Sequence, residues 1–125
     1  MPFIDVRTNS EVATDAQANL LRRFTEAVHT VKGDAVEMIA CALTTGAALA
    51  MAADSTRPAA VIHMTATAFS EQVTADLTRA FTAIVAEACG VPGTRLYIFF
   101  HDIAFADRYL VGWNGKTFKE LRPDT

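Results

Sequence analysis

The sequence predicts an α+β domain in which two strand-helix-strand units share one four-stranded mixed sheet, with both helices on one face and a tail carrying short strands. Three observations lead there. Apolar residues alternate in short runs and recur every three or four residues in two longer ones, in the order strand, helix, strand, twice over. The two helical runs stop at Gly33 and Gly90, and beyond them Met38-Ile39 and Arg95-Leu96 fall in register, the mark of an internal repeat. Right-handed crossovers then put both helices on the same side of the sheet.

The first strand is Phe3-Ile4-Asp5-Val6-Arg7. Thr8-Asn9-Ser10 breaks it, and Thr14-Asp15-Ala16-Gln17 reads as a capping box with Thr14 as N-cap. In the helix that follows, Leu20, Leu21, Phe24, Val28 and Val31 form one buried stripe, and Gly33 is the stop. Met38 to Thr44 is apolar on both faces and reads as a short, largely buried strand. The Ala-rich stretch Gly46 to Thr56 reads as a loop, at most with a helical turn. Ala60 to Thr67 is a strand with Val61, His63, Thr65 and Thr67 on one face and Ile62, Met64 and Ala66 on the other. Ser70 caps a second helix running to about Cys89, with Val73, Leu77, Phe81, Ile84 and Val85 inward. Gly90 ends it, Pro92 forbids its continuation, and Arg95 to Phe100 is the fourth strand. One domain over 1–125 is expected, with repeats at about 1–57 and 58–103 and a tail at 104–125.

Composition narrows the function classes. Of 125 residues, 51% are hydrophobic and 20% charged, enough to bury a core. A net charge of −3 gives no footprint for nucleic acid. No apolar run approaches a membrane span, and no basic-then-apolar leader opens the chain, so the expected location is the cytoplasm, with export by a leaderless route left open. Cys41 and Cys89 match no CxxC spacing and read as small buried hydrophobes. No cofactor and no metal is expected: His29 reads as a surface residue favoured by the helix dipole, His63 as a satisfied core residue and His101 as the end of a strand. Arg57 and Arg95 read as structural or solvated.

Two features call for chemistry. The chain opens Met1-Pro2, and a small second residue permits removal of the methionine. That would leave Pro2 as a secondary amine, a general base whose ring fixes the nitrogen relative to the strand. Withdrawing the ammonium form from water lowers its pKa toward the operating pH. Second, the helix-free sheet face carries Phe3, His63, Thr65, Tyr97 and Phe99, too much ring and β-branched surface to leave in water; it is a site, a subunit contact, or both.

Met1-Pro2-Phe3-Ile4, Arg95-Leu96-Tyr97-Ile98, Asp102, and Val111-Gly112-Trp113-Asn114 with Phe118, in that order, resemble the macrophage migration inhibitory factor and D-dopachrome tautomerase family of the tautomerase superfamily. The resemblance covers nearly the whole chain. It implies a homotrimeric tautomerase fold, sites at subunit interfaces, and a small aromatic enol or keto substrate of the phenylpyruvate or dopachrome type, with Pro2 as base. It also implies a pocket lined by Phe3, the backbone near Ala66 and Thr67, and the neighbouring subunit's Tyr97 and Phe99, with Val111, Trp113 and Phe118 as an apolar lip. A signalling or binding protein with vestigial activity, acting through a protein receptor, is the alternative it leaves open.

This sequence departs from that family where charge matters. The family's mammalian members place a lysine after the glycine that ends the first helix, where it holds the substrate carboxylate; here Asp34 follows Gly33, and Lys32 precedes it. Lys32 is expected to reach the pocket only if that turn rearranges, and Asp34 to repel a keto acid. Phe99 stands where an amide binds a phenolic hydroxyl, so an unsubstituted ring is expected to be preferred. Ala104 to Leu110 reads as an insertion whose Arg108 could replace the missing positive charge. Ala59-Ala60 stand where a thiol motif would, so no oxidoreductase activity is expected.

Overall fold

The computed structural model describes residues 1–123; Asp124 and Thr125, the end of the expected tail, lie outside the described residues. Its elements are β1 (Phe3–Thr8), α1 (Thr14–Lys32), β2 (Ala40–Thr44), β3 (Ala60–Ala66), α2 (Glu71–Cys89), β4 (Leu96–Asp102), β5 (Gly112–Trp113), β6 (Lys116–Thr117) and α3 (Phe118–Leu121), with 3₁₀ turns at Val36–Met38, Gly93–Arg95 and Phe105–Leu110. The sheet order is β2-β1-β3-β4. β1 runs parallel to β2 and β3 parallel to β4, while β1 and β3 meet antiparallel at the centre, so the sheet is mixed as expected. β5 and β6 form a separate hairpin through Asn114 and Gly115, whose φ angles of 54° and 76° are what a two-residue turn between strands requires.

The core lies between one sheet face and both helices. Ile4 and Val6 of β1 and Ile62 and Met64 of β3 meet Leu20, Phe24 and Val28 of α1 and Leu77, Phe81, Ile84 and Val85 of α2, all buried. Phe24 and Phe81 join the helices edge to face, with ring centroids 5.3 Å apart. Among the described residues no helix is long and apolar enough to cross a membrane.

Local details differ from expectation. Ala13, not Thr14, is the N-cap of α1, no side chain caps it, and Gln17 donates instead to the Val12 carbonyl at 3.0 Å. Ser70 caps α2 as expected, accepting from the Val73 amide at 3.1 Å. β2 begins two residues later than read, because Val36–Met38 is a 3₁₀ turn, and it is only half-buried, being an edge strand. β4 starts at Leu96 and continues to Asp102, since parallel pairing with β3 carries on through Thr65↔His101 and Ala66↔Asp102. His63 is not a lone core residue: its Nδ1 lies 2.7 Å from Nε2 of His101 on the helix-free face. Arg95 is structural, as read. Arg108 is buried as well.

Candidate active site

One end of the sheet gathers four chain segments. β1 and β2 both start there, β3 finishes there, and the tail leaves β4 there. Between them lies a cavity of about 520 Å³ walled by Met1, Lys32, Asp34, Met38, Thr67, Phe105, Arg108, Phe118 and Arg122, among others. Gly33 makes it possible. Its φ of 86° is the left-handed cap that glycine takes without strain, and its amide donates to the His29 carbonyl at 3.0 Å. The turn directs both flanking side chains inward, so Lys32 reaches the cavity with no rearrangement. Its Nζ lies 2.9 Å from Oδ1 of Asp34 and 5.8 Å from the centre of the Phe69 ring. Asp34 is therefore not a bare negative charge; it is half of an ion pair whose lysine is nearly buried.

The chain's amine joins that pair. The Met1 nitrogen stands 3.8 Å from Oδ2 of Asp34. Burial pushes its pKa below the ordinary 8.0; Asp34 works against the shift, and the charges of Lys32 and Arg122 add to it. Pro2 is buried behind Met1, and its carbonyl accepts from the Ala40 amide at 2.9 Å, which ties the start of the chain to β2.

The tail forms the outer wall. Arg108, only 3% exposed, donates to the Phe105 carbonyl at 2.8 Å and to the Arg122 carbonyl, and its guanidinium lies 4.2 Å from the centre of the Phe105 ring. It borders the cavity, and these bonds make it a staple between two parts of the tail. α3 is held by a capping box in which Thr117 and Glu120 bond each other's backbone amides. The Thr-x-x-Glu spacing could have revealed this helix from sequence; it was missed, as was Arg122 as a charge near the amine.

A family model described as macrophage migration inhibitory factor (MIF) matches residues 1–119. The chain belongs to that family. Solved structures of similar fold include MIF2 of Leishmania major, at 21% identity and TM-score 0.81, covering 94% of this chain and 97% of that one. The MIF homologue of Prochlorococcus marinus aligns at 20% identity and TM-score 0.83, covering 93% and 98%. A fused 4-OT described as a symmetric trimer aligns at 20% identity and TM-score 0.78, covering 92% and 94%. Among curated proteins, none matches the sequence.

Against this family background, the expected site residues divide into two groups within one protomer. Lys32, Asp34, Thr67, Arg108 and Phe118 line the cavity, next to buried Pro2. Phe3, Tyr97 and Phe99 do not line it. They stand on the helix-free sheet face, 43%, 60% and 46% exposed, with the Tyr97 and Phe99 rings stacked at 5.8 Å. Trp113 also lies apart, over a shallower hollow at the β5-β6 hairpin, and Val111 contributes through its backbone, whose carbonyl accepts from the Phe118 amide at 2.9 Å. Cys41 takes no part: burial, helped by Asp5, pushes its thiol up to about 12, so it stays protonated.

Proposed function

We propose that this chain is a keto-enol tautomerase of phenylpyruvate- or dopachrome-type substrates, with Pro2, exposed by removal of Met1, as the general base. The observation that carries this reading is the walled cavity at the start of the chain, where Pro2 lies buried behind Met1 and where Met1, Lys32, Asp34 and Phe118 line the space that removal of Met1 opens to the Pro2 nitrogen. The Pro2 nitrogen takes a proton from the carbon beside the substrate carbonyl, leaving an enolate and a pyrrolidinium. The pyrrolidinium then gives that proton to the enolate oxygen, which returns the nitrogen to its neutral form and completes the transfer. No cofactor is required. The substrate ring is held by Phe118 from this protomer and by Phe3, Tyr97, Phe99, Val111 and Trp113 at a subunit interface. The exposed rings on the sheet face support a homotrimer in which such an interface exists.

Charge sets the substrate preference. Lys32 is already paired with Asp34, so a keto acid must compete with Asp34 for that lysine, and a neutral ester meets no such competition. Pro2→Gly is expected to lower kcat/KM on phenylpyruvate by about 10²- to 10⁴-fold, the usual contribution of a positioned base. A Pro2 amine at this place is subject to the same burial that lowers the pKa of the Met1 amine, so kcat/KM is expected to rise with pH as the neutral form takes over. Unchanged turnover in Pro2→Gly, or a mature chain that keeps Met1, would remove the base from the mechanism. The same ion pair favours a second reading: a signalling or binding protein of this family, bound by a protein receptor, with vestigial turnover. Absence of turnover on both the keto acid and a dopachrome ester would select it.

A further inference from the structure

Outside the cavity, the helix-free face carries a column of four rings. Tyr97 stacks on Phe99 at 5.8 Å and Phe99 on His63 at 5.1 Å, while His101 meets His63 edge to edge in nearly the same plane, with ring centroids 5.0 Å apart. The order follows from register. β3 and β4 pair in parallel, with His63 opposite Phe99 and Thr65 opposite His101, so two histidines far apart in sequence become diagonal neighbours on one face. Their nearest nitrogens, Nδ1 of His63 and Nε2 of His101, are 2.7 Å apart, and their ring planes agree within 9°. A hydrogen bond between two imidazole nitrogens needs one N–H and one bare lone pair, so the pair holds a single shared proton there.

We propose that His63 and His101 form a two-imidazole site for a divalent transition metal, with copper(II) the best fit. Geometry selects the class of metal. Two nitrogens each about 2.0 Å from one metal ion are about 2.8 Å apart at the right angle of a tetragonal ion and about 3.3 Å apart at a tetrahedral angle. From the present 2.7 Å, the first needs a far smaller opening than the second. The lone pairs must turn from facing each other to converging on the ion. The terminal torsion of histidine is broad, which lets the two rings re-aim. Stacking on Phe99 holds the His63 ring in place for it. Asp5 of β1 is the cross-strand partner of His63 and puts a carboxylate on the same face, 3.5 Å from Arg7. Among the described residues no group of three or more His, Cys, Asp or Glu is arranged to hold a metal, so the protein supplies two donors and solvent completes the shell. The metal displaces the proton shared between the rings, and no redox step is involved.

The site shares Phe99 with the proposed substrate wall, but its test does not pass through turnover. The full-length protein is titrated with copper(II) sulfate by calorimetry, and the complex is examined by electron paramagnetic resonance with pulsed detection of coupled nitrogens. One copper per chain coupled to two imidazoles is the expected result. His63→Gln and His101→Gln should each weaken binding at least tenfold at unchanged fold by circular dichroism, and His29→Gln should leave it unchanged. Affinity untouched by both of the first two substitutions, or a native spectrum with fewer than two imidazole nitrogens, as copper on the terminal amine would give, overturns the assignment.

Discussion

The two ends of the sheet are built on one plan and do different things. Each receives the C-terminus of a long helix, a left-handed glycine (Gly33, φ 86°; Gly90, φ 67°), a 3₁₀ turn and then a strand. At the Gly33 end the glycine is flanked by Lys32 and Asp34, which turn into a cavity beside the chain's amine. At the Gly90 end the neighbours are Cys89 and Val91, both buried in the core, and the corresponding region is taken up by the loop between β2 and β3. Arg95 nails that loop down, donating to the carbonyls of Met51, Asp54, Arg57 and Pro58 at 2.8 to 3.2 Å. Asn9 adds bonds to the carbonyls of Leu49, Ser55 and Arg57. The repeat offers two equivalent ends, and the connections that cover them decide which end can hold a ligand. An arginine donating to backbone carbonyls organises both covers, Arg95 under the loop and Arg108 under the tail.

That parallel can be broken at several points. The largest effect belongs to the two staples. Arg95→Ala leaves several carbonyls without their donor and should cost about 3 kcal/mol in denaturant unfolding, with turnover per folded molecule unchanged. Arg108→Ala should cost about 2 kcal/mol and also remove turnover, because the tail it holds is a wall of the cavity. Equal loss of activity in both variants would dissolve the distinction between the ends.

Next is the ion pair. Asp34→Asn keeps a hydrogen-bond acceptor for Lys32 but removes the competing charge, so KM for phenylpyruvate should fall about tenfold, some ~1.4 kcal/mol. Asp34 raises the pKa of the Met1 amine against the effect of burial, and a Pro2 amine beside the same carboxylate should respond alike, so the same variant is expected to move the rising limb of the pH profile to lower pH. A KM that stays put would place the carboxylate elsewhere in the cavity.

The smallest effect sharpens the comparison of the glycines. Gly33→Ala and Gly90→Ala each force a side chain into the left-handed region, at about 1 kcal/mol, and at neither position does a Cβ meet another atom within 4 Å. The stability losses should match. Only Gly33→Ala should change KM, because only there does the turn aim charged side chains at the cavity.

Much of the fold was legible in the chain. Both amphipathic helices, the two glycine stops, the Ser70 cap and the alternation in β3 are local signals, each complete within a few residues. The Thr14 cap misled, because a capping box written in sequence competes with the path the chain takes out of β1, and Ala13 ends up at that position. The site was only partly legible. Lys32 and Asp34 drew attention as neighbours of Gly33, but their closure into a pair depends on side chains folding over a turn. Arg108 looked like a spare cation, and only packing against Phe105 and the Arg122 carbonyl turned it into a staple. The His63–His101 contact carried no sequence signal at all, since it arises from strand register.

What the sequence determined by itself is the set of local preferences: where the chain coils, where it extends and where it must turn left-handed. These depend on neighbours a few positions away. Tertiary structure decided which charges face one another, which arginines hold carbonyls in place of a ligand, and which end of a repeated plan stays open. Those outcomes depend on distances of a few ångströms between residues far apart along the chain, and such distances exist only after the sheet has set its register and the loop and tail have closed over its ends.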